Sequence, residues 1–383
     1  MPYSSTKVSF ISENFLLQNE YASILYHQYA KDLPIIDYHN HLPPAEINAD
    51  KKFENISKIW LAGDHYKWRA MRAFGITESY ITGDASDEDK FKSWAKTLPY
   101  TLRNPLYHWS HLELKRYFGF EDLLSEANAE EVYKHCNGIL EQDSYSTQGL
   151  LAKMKVEVVC STDDPIDSLD QHISFHKKGK DLGMYPAFRP DKSYAVENPS
   201  AYQSYLSSLG EAAGFEITSF EKLLEAMSKR IDYFHERGCR LSDHGLEQLY
   251  FFKENSFSIE SIFSQVLSGK PLTSEEVNFF KYITLLALCK LYHAKGWVQQ
   301  FHLGALRNTN ERSLRILGPD TGYDSIGDFD QAKAMSGFFN ELNLEDQLSK
   351  TVIYNLNPRD NEIFATMIGN YNDGSVKGKI QFG

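Results

Sequence analysis

Hydrophobic positions along this chain switch between two spacings. From Phe220 they recur at Leu223, Leu224, Met227, Ile231 and Phe234, three or four apart, which gathers them on one face of a helix. Ser219 precedes the run with an oxygen suited to capping the first turn, and Gly238 follows where a left-handed residue ends a helix. The pattern then shortens: Cys239-Arg240-Leu241-Ser242-Asp243-His244-Gly245 reads as a strand with polar groups at its end. The next stretch repeats this order. Thr273-x-x-Glu276 is a capping box, a Leu- and Tyr-rich helix runs to Lys295, Gly296 closes it, and Trp297 to His302 reads as a strand. Further strands are predicted at Thr351 to Leu356 and Lys379 to Phe382, and earlier ones at Leu33 to His41, Val156 to Thr162 and Met184 to Arg189.

Strands that alternate with helices imply parallel pairing and right-handed crossovers. Doubly wound sheets and closed barrels both satisfy that pattern. No Gly-rich nucleotide loop follows the first strand, and chemically capable side chains gather near the C-terminal ends of several strands. Both features favour a TIM-like (β/α)8 barrel, whose ligands are collected from many strand ends. The expectation is an α/β fold with one barrel domain over residues 1–383. The mainly helical stretch from Pro43 to Leu150 is an insertion after the first strand, and a second insertion covers about Pro190 to Arg237.

The candidate chemistry starts at Leu33-Pro34-Ile35-Ile36-Asp37-Tyr38-His39-Asn40-His41-Leu42, an apolar strand ending in His-x-His. On a strand, residues two apart point the same way, so His39 and His41 would present two imidazoles to one divalent metal. Gln300 to Arg307 adds His302 and, five positions on, Arg307, whose planar fork suits a carboxylate. Arg240 to Gly245 offers Asp243 beside His244, and Phe188-Arg189-Pro190-Asp191-Lys192 puts Arg189 at a strand end. Each of these alone reads equally well as a solvated strand terminus or a hydrogen-bonded core group; together they place His39, His41, Arg189, Asp243 and His302 at the same end of one barrel. The donor-dense stretch from Gly63 to Arg72, which contains His65 and Tyr66, lies in the insertion where a lid or specificity wall would arise.

Composition narrows the partners. The net charge of −12 argues against nucleic acid, whose phosphates demand clustered Lys and Arg. It still allows an anionic substrate, since a few local arginines can dominate one pocket. Four widely spaced cysteines with no CxxC pair predict reduced, buried thiols. Met1 to Ser12 has no basic-then-apolar leader pattern, and no apolar run is long enough for a bilayer. A cytoplasmic protein without a membrane partner is expected, and a homo-oligomer stays open.

Several of these motifs, in collinear order from about Phe15 to Gly383, resemble the uronate isomerase family. They are Asp37-Tyr38-His39-x-His41-Leu42, Trp60 to Arg69, Phe188 to Lys192, Leu241 to Gly245 and His302-x-Gly304-Ala305-x-Arg307, then Gly318 to Asp328, Asn355 to Pro358 and Thr366 to Asn370. The resemblance implies a metal-dependent barrel of the amidohydrolase superfamily. It also implies interconversion of D-glucuronate with D-fructuronate and of D-galacturonate with D-tagaturonate. Carried onto this sequence, it implies His39 and His41 as ligands of a divalent metal, with zinc expected. His65, Tyr66, Asp243 and His302 would be catalytic residues, with Arg189 and Arg307 binding the uronate.

Family chains continue past the seventh strand to an eighth, which bears an Asp metal ligand and, two residues later, an Arg that contacts substrate. This sequence ends at Gln381-Phe382-Gly383. A barrel without its eighth strand, weak in metal binding and low or lacking in activity, is therefore expected. Two other readings share the His-x-His strand or its residues: a metal-dependent hydrolase of the same superfamily, and a non-catalytic remnant. The absence of a strand-end Lys suited to a bridging carbamate weighs against the hydrolase.

Overall fold

A computed structural model describes residues 9–254 and 257–383, so most of the stretch Met1 to Ser12 falls outside the described residues. In chain order the strands are β1 (Ile35–Asp37), β2 (Val156–Asp163), β3 (Gly183–Phe188), β4 (Leu241–Leu246), β5 (Val298–Leu303), β6 (Ala305–Leu306), β7 (Ser325–Ile326), β8 (Thr351–Asn355) and β9 (Ile380–Phe382). Seven of them share one sheet in the order β1-β2-β3-β4-β5-β8-β9. The pairings from β2 to β9 are parallel. Strand order follows chain order with no reversal. A doubly wound sheet must reverse at its switch point, whereas a (β/α) barrel wall does not. The fold is therefore the barrel type, α/β with a parallel sheet. The pair β6–β7 is an antiparallel two-residue clip that the sequence pattern did not predict.

The helix at Phe220–Glu236 forms for the reasons its sequence gives. Ser219 accepts a hydrogen bond from the Lys222 N–H, and Phe220, Leu223, Met227, Ile231 and Phe234 are buried along one face. Phe234 meets Phe188 edge to face at 5.0 Å between ring centres. Burying one such ring is worth roughly 1.5–3 kcal/mol. Gly238 then turns the chain into β4 with φ of +90°, and a Cβ there would stand 2.6 Å from the Tyr185 ring. Both the backbone angle and the space require glycine. The capping box at Thr273 and Glu276 is formed, opening the helix Ser274–Ala294.

β1 departs from expectation. The apolar run predicts a strand from Leu33 to His41, but only Ile35–Asp37 is extended. His39 lies beyond it in a turn, where the Asn40 side chain accepts from the Leu42 N–H at 3.1 Å. The Asn40 carbonyl accepts from Thr162 Oγ1 at 2.8 Å, which ties the turn to β2. Side-chain–backbone bonding by Asn competes with the ladder and ends the strand early.

The chain divides into two compact units, one of described residues up to 36 with 45–157 and 310–323, the other of 37–44, 158–309 and 324–383. The first has a core of its own around Trp60, Met71, Phe91, Trp94 and Leu114. It extends past the helical stretch at 43–150 to take in the later segment 310–323. The second is built on Phe188, Phe234, Phe280, Tyr292, Trp297 and Phe301. Among the described residues no helix is long and apolar enough to cross a membrane. All four cysteines are buried and unpaired. Burial pushes the Cys136 thiol up to about 12 and the Cys160 thiol to about 11.

Candidate metal centre

Strand alternation in the second unit separates two kinds of side chain. On β4, His244 turns toward the helices and stacks on Phe301 at 5.1 Å. Asp243, next to it, faces the opposite way and is fully buried. The register pairs Asp243 with Gln300 and Gly245 with His302 on β5, and His302 with Tyr354 on β8. The inner face therefore carries Asp243, Gln300, His302 and Tyr354 together. The His302 and Tyr354 rings stack at 4.3 Å with an interplanar angle of 3°. Tyr354 donates to Gln300 Oε1 at 2.8 Å. β4 continues to Leu246, so Asp243 stands inside the strand and not at its end, and burial there is complete.

The turn after β1 brings His39 to this face. Its ring centre lies 4.5 Å from that of His302, and its Nδ1 is 3.8 Å from Asp243 Oδ2. One donor atom each from His39, Asp243 and His302 lies within 4.8 Å of the others. His302 Nε2 is 2.8 Å from Asp243 Oδ1. Apart from that close approach, His39 Nδ1, Asp243 Oδ1 and His302 Nε2 are buried with no hydrogen-bond partner. Each such orphan costs roughly 1–3 kcal/mol unless something binds it. Three lone-pair donors aimed at a common space, two nitrogens and one oxygen, make a donor set that fits a divalent metal.

Their charge states fit as well. Burial pushes His39 down to about 4, helped by the neighbouring charges of His302, His41 and Arg189 and opposed by Asp243. Burial alone would raise the Asp243 carboxyl. The approach of His302 and the charge of Arg189 outweigh it and hold the carboxyl near 2. At neutral pH the site thus offers a neutral imidazole and an ionised carboxylate, the forms in which these groups ligate metals.

Arg189 follows β3 directly, and its Nη1 donates to Asp243 Oδ2 at 2.9 Å while Nε donates to Asp191 Oδ2 at 2.9 Å. The sequence-predicted residues otherwise separate into groups. His39, Asp243, His302 and Arg189 come together. His41 contacts His39 edge to face at 5.3 Å, outside the group of mutually close donors. Strand alternation does not set the relation between these two rings, because both residues lie beyond β1, which ends at Asp37. Arg307 lies in the loop after β6 and pairs with Asp324 at 2.8 Å. His65 and Tyr66 open the helix His65–Ala73 of the first unit, capped by Asp64. Sequence reading missed Gln300 and Tyr354, although Gln300 stands two before His302 and so shares its face. It also gave no role to Asp191, which lies inside a quoted motif.

Comparison with known proteins agrees with this fold. The family described as glucuronate isomerase matches residues 8–383. A uronate isomerase of Flavobacterium johnsoniae is 55% identical over 375 residues, 98% of this chain and 80% of the relative. One from Bacteroides thetaiotaomicron is 51% identical over 376 residues, with the same coverage. The crystal structure of uronate isomerase from Thermotoga maritima superposes with a TM-score of 0.91 at 32% identity, covering 98% of this chain and 81% of that one. Glucuronate isomerase from Caulobacter crescentus shares the fold, with a TM-score of 0.88 at 23% identity over 97% of this chain and 78% of that one. The hydrolase reading finds no support in these likenesses. A parallel barrel wall, a close-set His/Asp/His cluster and a match along nearly the whole chain lead to one conclusion: this chain belongs to the glucuronate isomerase family.

Proposed function

We propose that the chain interconverts D-glucuronate with D-fructuronate and D-galacturonate with D-tagaturonate at the inner-face cluster of β4, β5 and the turn after β1. The observation that carries the site assignment is the set of three buried, unpartnered donor atoms on His39, Asp243 and His302. The reaction moves one hydrogen from C2 to C1 and one hydroxyl proton from O2 to O1, so substrate and product are isomers and no external oxidant is needed. His39, Asp243 and His302, with His41 beside them, would hold a divalent ion, zinc by its preference for imidazole and carboxylate donors, which supplies polarisation of substrate oxygens.

The chain's own groups supply the rest. Arg189 carries positive charge to the site and stabilises the enediolate that forms when C2 loses its proton. Arg307, now paired with Asp324, would exchange that carboxylate for the carboxylate of the uronate. His302 is fixed by its stack on Tyr354, which keeps it from swinging off the reacting oxygens. We also place the chain in the amidohydrolase superfamily by its His-x-His turn, and in the cytoplasm, in keeping with its unpaired buried thiols.

The test is isomerisation of both uronates, followed by proton NMR in D2O, alongside metal analysis of wild-type protein and His39→Ala. Metal-dependent ketose formation that His39→Ala abolishes, together with its bound metal, is expected. Metal-loaded protein that leaves both uronates unchanged would sink the assignment.

A further inference from the structure

Arg189 is held from more sides than a free substrate-binding arginine. Its Nε is committed to Asp191 Oδ2 and its Nη1 to Asp243 Oδ2. Asp191 is anchored in turn. Tyr194 donates to its Oδ1 at 2.5 Å, and the Gly245 N–H points at both of its oxygens, at 3.3 and 3.2 Å. Tyr194 has one proton, and that proton goes to Asp191. The 3.2 Å contact between Tyr194 and His244 is therefore a donation from His244 Nδ1. A chain of hydrogen bonds thus runs from a buried histidine through Tyr194, Asp191 and Arg189 to the carboxylate of Asp243.

Gly245 has a second function in this arrangement. A Cβ at this position would stand 2.5 Å from Arg189 Nη2 and 3.3 Å from Asp191 Oδ2. Gly245 does not have the positive φ that would explain a glycine by backbone conformation. What the position requires is room for the guanidinium. Gly245 is also the register partner of His302, so that room lies on the face that carries the cluster.

We propose that Asp191 and Gly245 are positioning residues for the isomerisation: Asp191 anchors the Arg189 guanidinium, and Gly245 leaves the space that lets it lie against Asp243. This rests on the isomerase reading given above. With two of its five N–H donors fixed by protein carboxylates, Arg189 meets substrate already oriented, through the donors left on Nη1 and Nη2. Orientation set before substrate arrives avoids reorganisation during the reaction.

The test is a double-mutant cycle on the full chain with D-glucuronate, using Asp191→Ala, Asp191→Asn and Gly245→Ala in wild-type and Arg189→Lys backgrounds. Asp191→Ala and Gly245→Ala should each lower kcat by roughly 10- to 100-fold, the range for residues that orient a site group. KM should change far less, and Asp191→Asn, which keeps one acceptor for Nε, should lose less than Asp191→Ala. In the Arg189→Lys background, which lacks the fork, the same changes should cost roughly threefold or less. Equal fold losses in both backgrounds would overturn the proposal. So would a crystal structure of Gly245→Ala in which Arg189 keeps its contact with Asp243. If wild-type protein fails to isomerise uronates while Arg189 is displaced in Gly245→Ala, the isomerase reading fails and the anchoring geometry stands.

Discussion

Asp163→Asn should stabilise this protein at alkaline pH and do progressively less as the solution is acidified. Asp163 closes β2 on the side facing the helix Asp170–Lys177 and is almost completely buried. Its Oδ2 accepts from Ser161 Oγ at 2.7 Å, and Ser161 Oγ also contacts His172 Nε2 at 2.7 Å. The carboxylate and imidazole are 3.8 Å apart, yet they do not form an ion pair. Burial holds His172 down at about 4, so it is neutral. Burial, with Asp167 adding to it, lifts the Asp163 carboxyl to about 7 against the opposing bond from Ser161.

A carboxyl with a raised folded pKa contributes stability that is fully present below its unfolded value of 3.8 and is lost as pH rises through about 7. Over the whole range the loss is about 4 kcal/mol, of which about 2.5 kcal/mol falls between pH 5 and 8. Asparagine keeps an oxygen for Ser161 and carries no charge to bury. His39, His172 and His244 have depressed values and give the opposite slope at lower pH, but they are common to both proteins and cancel in the difference. Scanning calorimetry of wild type and Asp163→Asn at pH 5, 6, 7 and 8 should show the variant gaining about 3 °C or more relative to wild type across that range. A difference that stays constant with pH, or shrinks as pH rises, would refute a raised carboxyl at this position.

Asp243→Asn removes the only carboxylate of the donor cluster. Dialysed protein should then retain less than a tenth of the metal bound by wild type, read by elemental analysis, and unchanged stoichiometry would exclude Asp243 as a ligand. Gly238→Ala forces a left-handed residue and a Cβ into the Tyr185 ring, and should destabilise by about 1–3 kcal/mol in urea denaturation. Phe234→Ala empties a fully buried site against Phe188 and should cost about 3–5 kcal/mol by the same assay. A loss under about 1 kcal/mol there would mean that the helix is not held by this face.

The chain's own pattern determined a great deal. Helical spacing at Phe220 to Phe234, the capping box at Thr273 and Glu276, and the short apolar runs that follow each glycine are local signals, set by neighbours a few residues apart. They located seven strands and the parallel α/β class. His39, Asp243, His302 and Arg189 were also legible, because polar groups at the ends of apolar strands are conspicuous. Tertiary structure decided what those residues are to one another. Strand spacing pairs His39 with His41, but β1 ends at Asp37, before both of them. Asn40 instead turns the backbone and bonds to Thr162, so His39 finds its partners on β4 and β5. Asp243 and His302, separated by 59 positions in the chain, meet through the β4–β5 register. The need for glycine at 245 depends on where a guanidinium from β3 comes to rest. These relations depend on strand register and on contacts between distant segments, and no periodicity along a single chain encodes the distance between them.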